Sequence, residues 1–176
     1  MIIGNPYKFS IFTEKMREWS DDTYQSGVFL LCIDGSLFPE EIFTSTLTID
    51  IITLKRNLST IVRNEKLFSM PKEEAFIKMY HITFPSWEEI DNGADQNYQY
   101  YMSPPGIEDF HSTAFAVSNG KQVRIMASNL NYNEKESTYD LSEINIKEAF
   151  ITHEELNELV IKLEDVIHPK SKMAIG

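Results

Sequence analysis

Between Lys78 and Lys121 the chain has no lysine and no arginine. That stretch cannot neutralise its own acids, and it cannot grip a phosphate backbone, which needs basic side chains. Cysteine is scarce as well. Cys32 is the only one, so no intramolecular disulfide can form and no oxidising compartment is implied. It sits in the apolar run Val28-Phe29-Leu30-Leu31-Cys32-Ile33 and reads as a small buried hydrophobe. The 7 glycines are dispersed, so no phosphate-cradling loop is present. No run approaches the roughly 18–20 apolar residues of a membrane helix. The start, Met1-Ile2-Ile3-Gly4-Asn5-Pro6, lacks the basic-then-apolar pattern of a signal peptide. A cytoplasmic protein without a membrane segment is expected.

Signatures of catalysis are missing too. His81, His111, His153 and His168 never fall at metal-ligand spacing. His153-Glu154 opens like a metalloprotease helix, but Asn157 stands where the second histidine is required. No Gly-x-Ser-x-Gly elbow occurs. Neither a metal nor another cofactor is expected. Adjacent acids are plentiful (Asp21-Asp22, Glu40-Glu41, Glu88-Glu89, Glu108-Asp109) and keep a small hydrolase with a carboxylate pair as an alternative. Most of them read as solvated surface charge.

What the chain does have is acid and aromatic surface. Its 176 residues carry a net charge of -11, with a pI near 4.8, which weighs against nucleic acid as a partner. A hydrophobic content of 42% fits one globular domain with a sizeable core. The stretch without basic residues holds Trp87, Glu88, Glu89, Asp91, Asp95, Tyr98, Tyr100, Tyr101, Glu108 and Asp109. Carboxylates attract a basic protein at long range, and Tyr and Trp are frequent anchors. These residues form the candidate partner-binding set. A self-associating adaptor module is a further alternative, and the sequence leaves the oligomeric state open.

The pattern along the chain predicts an α+β domain over 1–169 and a frayed tail over 170–176. Alternation over 7–13 and the apolar run 27–33 predict strands, joined through Asp34-Gly35 to a short return at 36–38 that Pro39 ends. Leu47, Ile51, Leu54, Leu58 and Ile61 share a helical face, with Ser45 or Thr46 as cap and Asp50 at the positive end of the dipole. A second helix starts at Pro71, capped by Ser69, buries Ala75, Phe76, Met79 and Tyr80, and stops before Phe84-Pro85. Residues 85–110 read as a long functional loop. Asn119-Gly120 predicts a hairpin between 111–118 and 121–129, with Phe115, Val117, Val123, Ile125 and Ala127 on one face. A strand near 144–151 precedes a helix with the capping box Thr152–Glu155, a stripe of Leu156, Leu159, Val160, Leu163 and Ile167, then His168 and the terminator Pro169. The sum is a mainly antiparallel sheet with about three helices packed on one face.

The N-terminal residues also resemble a known family. Met1-Ile2-Ile3-Gly4-Asn5-Pro6-Tyr7-Lys8-Phe9-Ser10-Ile11, Glu18-Trp19, Gly27-Val28-Phe29, Ile33-Asp34-Gly35, Phe38-Pro39 and Thr44-Ser45-Thr46-Leu47 are similar to the opening of immunity family forty-two of bacterial polymorphic-toxin systems. The resemblance covers about residues 1–85 well and the remainder loosely. It implies a non-enzymatic cytoplasmic antidote that binds a cognate toxin and blocks it; the net charge of -11, separately, suits a toxin of basic character.

Overall fold

The computed structural model describes residues 1–21, 24–135 and 138–167. Asp22, His168, Pro169 and the tail 170–176 lie outside the described residues. Strand β3 (Ser26–Ile33) is the axis of the larger sheet. It pairs antiparallel with β2 (Phe9–Lys15) on one side and with β4 (Ser36–Phe38) and β5 (Thr44–Thr46) on the other. A short β1 (Ile2–Gly4), not foreseen from the pattern, pairs with β2. The β3–β4 turn is as expected: Asp34 has φ 49 and Gly35 φ 74, the left-handed values a tight hairpin demands.

Helix α1 (Leu47–Ser59) buries Leu47, Ile51, Leu54 and Leu58 against this sheet. Thr46 occupies the cap position, but its side chain makes no capping bond. Ile61 lies beyond the helix and is only partly buried against the core. Helix α2 (Glu65–Ser69) is an addition, capped by Asn64, whose Oδ1 accepts from Leu67 N–H at 3.1 Å. Ser69 therefore ends α2 and does not cap α3 (Lys72–Thr83), for which Pro71 holds the cap position. The apolar face of α3 is as expected, and the helix stops at Thr83 before Phe84-Pro85.

Segment 85–110 is not one irregular loop. It contains α4 (Trp87–Asp91) and α5 (Pro105–Glu108), and residues 100–102 run along the edge of β6 (Ser112–Ser118). Met102 N–H donates to Ala114 O and Ala116 N–H to Tyr100 O, both at 2.9 Å. Further along, Ser118 N–H donates to Val62 O and Asn64 N–H to Ser118 O. The free edge of β6 is thereby covered by backbone, which removes a template for unwanted strand pairing.

Strand β7 (Gln122–Asn129) pairs with β6 and with β10 (Lys147–Thr152) in a three-stranded sheet. The hairpin turn sits one residue later than expected. Asn119 N–H donates to Gln122 O, so Gly120 and Lys121 are its central residues. Gly120, with φ 92, takes the first position, where mirror-image turns require a positive φ. That register also divides the expected single face. Phe115 opposes Met126 and Val117 opposes Arg124, while Ala116 opposes Ile125 and Ala114 opposes Ala127. Residues directly opposite share a face. Both faces are buried, so helices lie on both sides of this sheet and not on one.

The alanine face joins Val123, Ile125, Ile151 and the inner face of the larger sheet in one core, closed by α1 and α6 (His153–Ile167). The Phe115 face packs on Phe76, Met79 and Tyr80 of α3 in a second core. There the Phe76 and Phe115 rings meet edge-on at 5.1 Å. Each ring contributes roughly 2–3 kcal/mol by burial, and the edge contact about 1 more. Helix α6 has its capping box: Glu155 N–H donates to Thr152 Oγ1 at 3.1 Å and Thr152 N–H to Glu155 Oε2 at 2.8 Å. The ribbon of β8 (Asn131–Asn133) and β9 (Thr138–Asp140) is a further addition.

Arg124 is the exception in this apolar sheet, being only 3% exposed. Its guanidinium pairs with Glu148 (2.6 and 2.7 Å) and donates to the carbonyls of Leu67, Phe68 and Met70 at the end of α2. A cation there satisfies carbonyls that the helix leaves open. Arg124→Met should cost about 3 kcal/mol in urea unfolding, because it strands three carbonyls and a carboxylate. Thr152→Ala should cost about 1 kcal/mol. Equal costs for the two would show that Arg124 is not the greater constraint.

Candidate functional site

The acidic aromatic residues separate into an exposed group and a buried group. Ser86 caps α4 through Glu89 N–H (3.2 Å), and its own N–H donates to Glu89 Oε2 (2.7 Å). The same carboxylate oxygen lies 3.2 Å from His81 Nδ1 on α3. These bonds, led by those from Ser86, hold the Glu89 carboxyl below the usual range. Glu89 is thus a brace for α4, and what α4 displays is Trp87, 84% exposed, flanked by exposed Glu88 and Asp91 and half-exposed Ile90. Asp95 is also exposed.

Tyr98 is 52% exposed and packs edge-on against Phe84 and Tyr101. Tyr100 is buried and Tyr101 partly buried. Tyr100 is 4% exposed, and its hydroxyl accepts from Asn64 Nδ2 at 2.9 Å. Tyr101 pairs with Phe115 across the β6 edge, and its ring meets Phe84 at 5.4 Å. Burial, reinforced by nearby Glu108, raises the Tyr101 hydroxyl far above its ordinary range. The Tyr100 ring is enclosed by the core, whereas Tyr101 is partly buried and keeps an edge on the depression it lines with Tyr98. Alternation along the extended run 98–102, had it been read as a strand, would have signalled that one of two adjacent tyrosines points inward.

Glu108 and Asp109, at the end of α5, face different depressions. Glu108 lines one of about 290 Å³ with Arg56, Tyr98, Tyr101 and Ser103. Asp109 lines another of about 280 Å³ with Ser45, Asp50, Gly106 and Phe110. Asp50 is the residue whose setting the sequence reading missed. It is not a solvated helix-end acid; it is 2% exposed, and its Oδ1 accepts from Gly106 N–H at 2.8 Å. Its position, three after Leu47 and four before Leu54, lies on the apolar stripe of α1, and that was the available signal. Desolvation pushes its carboxyl up. The Ser45 hydroxyl and Gly106 N–H pull it partly back, and Asp109 adds to the rise.

Ser118 Oγ lies 3.0 Å from His153 Nε2, which is the geometry of a nucleophile and base. However, Ser118 gives its proton to Gln122 O at 3.0 Å and accepts from Gly120 N–H at 2.8 Å. The pair stabilises the hairpin turn. Among the described residues no group of three or more His, Cys, Asp or Glu could hold a metal, and no helix is long and apolar enough to cross a membrane.

The fold places the protein in a structural class. It is similar to the crystal structure of CdiI from Burkholderia dolosa AUO158, with a TM-score of 0.71 at 22% identity, covering 97% of this chain and 100% of that one. No curated protein matches the sequence. The family model for immunity protein 42 matches residues 1–166, and the chain belongs to that family.

The raised Asp50 carboxyl fixes a sign. The folded state binds this proton more readily than the unfolded chain does. Stability from the protonated form is therefore complete at low pH and is lost as pH rises through the folded-state pKa. Asp50→Asn should be at least as stable as wild type at pH 7, and its margin should shrink toward pH 4 in thermal melts. A margin that grows on acidification would contradict the burial argument.

Proposed function

We propose that this chain is a non-enzymatic antidote that binds a cognate toxin domain in the cytoplasm and blocks it. The observation that carries this is the match to immunity protein 42 over residues 1–166. We place the docking surface on α4 and the turn beyond it: Trp87 as anchor, Ile90 and Tyr98 beside it, and Glu88, Asp91 and Asp95 as the acidic rim. The capping box fixes the backbone of α4, so binding through its 84%-exposed tryptophan need not order the helix itself. The net charge of -11 favours a basic partner and speeds encounter by roughly 10–1000-fold at low salt.

Calorimetry against the toxin domain encoded beside this chain's gene tests the reading, and absence of a complex at micromolar concentration would end it. Trp87→Ala should weaken that complex by about 2 kcal/mol or more. Glu88→Ala and Asp91→Ala should mainly slow association, by a margin that fades with added salt. Tyr100→Phe should alter stability and leave affinity unchanged. Wild-type affinity in Trp87→Ala would put the interface elsewhere.

One observation favours a second reading. Asp50 is a buried carboxyl with a raised pKa in a concave site, as a general acid would be, with Asp109 as companion carboxylate. A hydrolase would convert the toxin or its product catalytically, so protection at substoichiometric amounts would support it. A strict one-to-one requirement would remove it.

A further inference from the structure

The edge of β6 is covered by backbone, but the opposite edge of the same sheet is not. Strand β10 stands last in the order β10-β7-β6. Its 6 residues run in unbroken register with β7 and include no proline. The hairpin settles which of its backbone groups point outward. Asn119 N–H donates to Gln122 O, so 119 and 122 form a hydrogen-bonded pair. Bonded and non-bonded pairs alternate along an antiparallel ladder. Arg124, Met126 and Ser128 therefore bond to β6, and Val123, Ile125 and Ala127 bond to β10. Their β10 partners are Ile151, Ala149 and Lys147. The residues between, Glu148 and Phe150, turn their N–H and C=O groups away from the sheet.

Both ends of this outer edge are already closed by side chains. Lys72 Nζ donates to Ile146 O at 3.1 Å, and Thr152 N–H donates to Glu155 Oε2 at 2.8 Å. Between them, among the described residues, no backbone group bonds to Glu148 or Phe150 from outside the sheet. The Phe150 ring packs edge-on against Phe68 at 5.6 Å, yet it is 40% exposed. An open strand edge beside a half-exposed aromatic is a template for strand addition.

We propose that this edge pairs antiparallel with the same edge of a second copy of the chain, about a two-fold axis at Ala149. Centring on Ala149 sets Glu148 of each copy opposite Phe150 of the other. Each such pair exchanges two hydrogen bonds, so every open group on both strands is satisfied. The closed positions, Ile146 and Thr152, fall opposite each other and need nothing. Ala149 then meets its own copy in a non-bonded pair, where Cα atoms approach to about 4.5 Å and a small side chain suits. Charge is also self-complementary. Lys72 and Lys147 stand at one end of the edge, and Glu154 and Glu155 open α6 at the other. Antiparallel pairing lays the basic end of each copy on the acidic end of its partner, the reciprocity a two-fold interface requires. A strand from a basic toxin would instead meet lysines at one end. The net charge of -11 on each copy opposes approach at long range, so the contact depends on these local groups and forms with rising concentration.

The test uses the full chain without toxin. Sedimentation equilibrium should show a monomer–dimer equilibrium in the micromolar range. Hydrogen exchange read by NMR across a dilution series should show the Glu148 and Phe150 amides protected in the dimer and losing that protection at least tenfold on dilution. The Lys147, Ala149 and Ile151 amides, bonded to β7, should stay protected throughout. Lys147→Glu and Glu154→Lys should each weaken the dimer about tenfold, and the double variant should regain wild-type affinity. A monomer at hundreds of micromolar would overturn the proposal. So would a dimer in which the Glu148 and Phe150 amides exchange freely, or protection of both amides in the monomer. Single-variant losses that the double variant does not restore would overturn the antiparallel pairing. Protection of these amides only after the cognate toxin domain is added would overturn it in favour of a toxin strand on the same edge. None of these results depends on the antidote reading.

Discussion

The β6–β7 hairpin is buried on both faces, and the rest of the molecule is arranged around that constraint. One face, Ala114, Ala116, Val123, Ile125 and Ala127, must be small or branched because the larger sheet and helices α1 and α6 press on it. The other, Phe115, Val117 and Met126, accepts large groups because α3 brings Phe76 and Met79 to meet them. A hairpin buried twice cannot slip register, since a shift of one residue would exchange the alanine face for the phenylalanine face. Arg124 is tolerated there only because carbonyls at the end of α2 and Glu148 surround its guanidinium. The same bonds tie α2 to the sheet.

That constraint reaches the surface through the edge of β6. Residues 100–102 hydrogen-bond along it, which draws Tyr100 into the second core, lays Tyr101 partly buried against it and leaves Tyr98 at the boundary. Upstream, Phe84 is gripped between Tyr80, Tyr98 and Tyr101, so α4 leaves the core from a fixed point. Downstream, α5 starts two residues after Ser103, whose hydroxyl accepts from Ala114 N–H at 2.7 Å. Both short helices thus inherit their positions from one strand edge. A segment with few regular elements of its own is held in place by the backbone partners it borrows from a buried strand.

Features with local causes were legible in the sequence. The Asp34-Gly35 turn, the α6 capping box and the apolar face of α3 each depend on residues a few positions apart and stand as read, as does the α1 stripe from Leu47 to Leu58, though not its last member, Ile61. The errors share a different cause. The hairpin register, the two-faced burial of β6 and the burial of Tyr100 depend on what packs from elsewhere in the chain. Alternating Ala and Phe on β6 looks the same whether one face or both are covered. The ten candidate partner-binding residues were chosen by composition, and composition does not distinguish Trp87 from Tyr100. Only the β6 edge makes that distinction.

Acidity in this protein takes two physically different forms. Glu88, Asp91 and Asp95 are solvated, cost the fold almost nothing, and act at a distance through their summed field. Asp50 is desolvated and stands on the apolar stripe of α1, where a leucine would serve stability better. Local rules are broken chiefly where function requires it, and the cost is carried by the rest of the fold. The fold here has the means, because α1 buries Leu47, Ile51, Leu54 and Leu58 around the single acid. The exposed acids can change position without consequence for folding, provided the field persists. Asp50 cannot, because its setting requires a helix stripe, a hydroxyl at Ser45 and a residue without a side chain at 106. A setting with that many simultaneous requirements is defined by contact geometry, whereas the solvated acids act only through the field to which they sum.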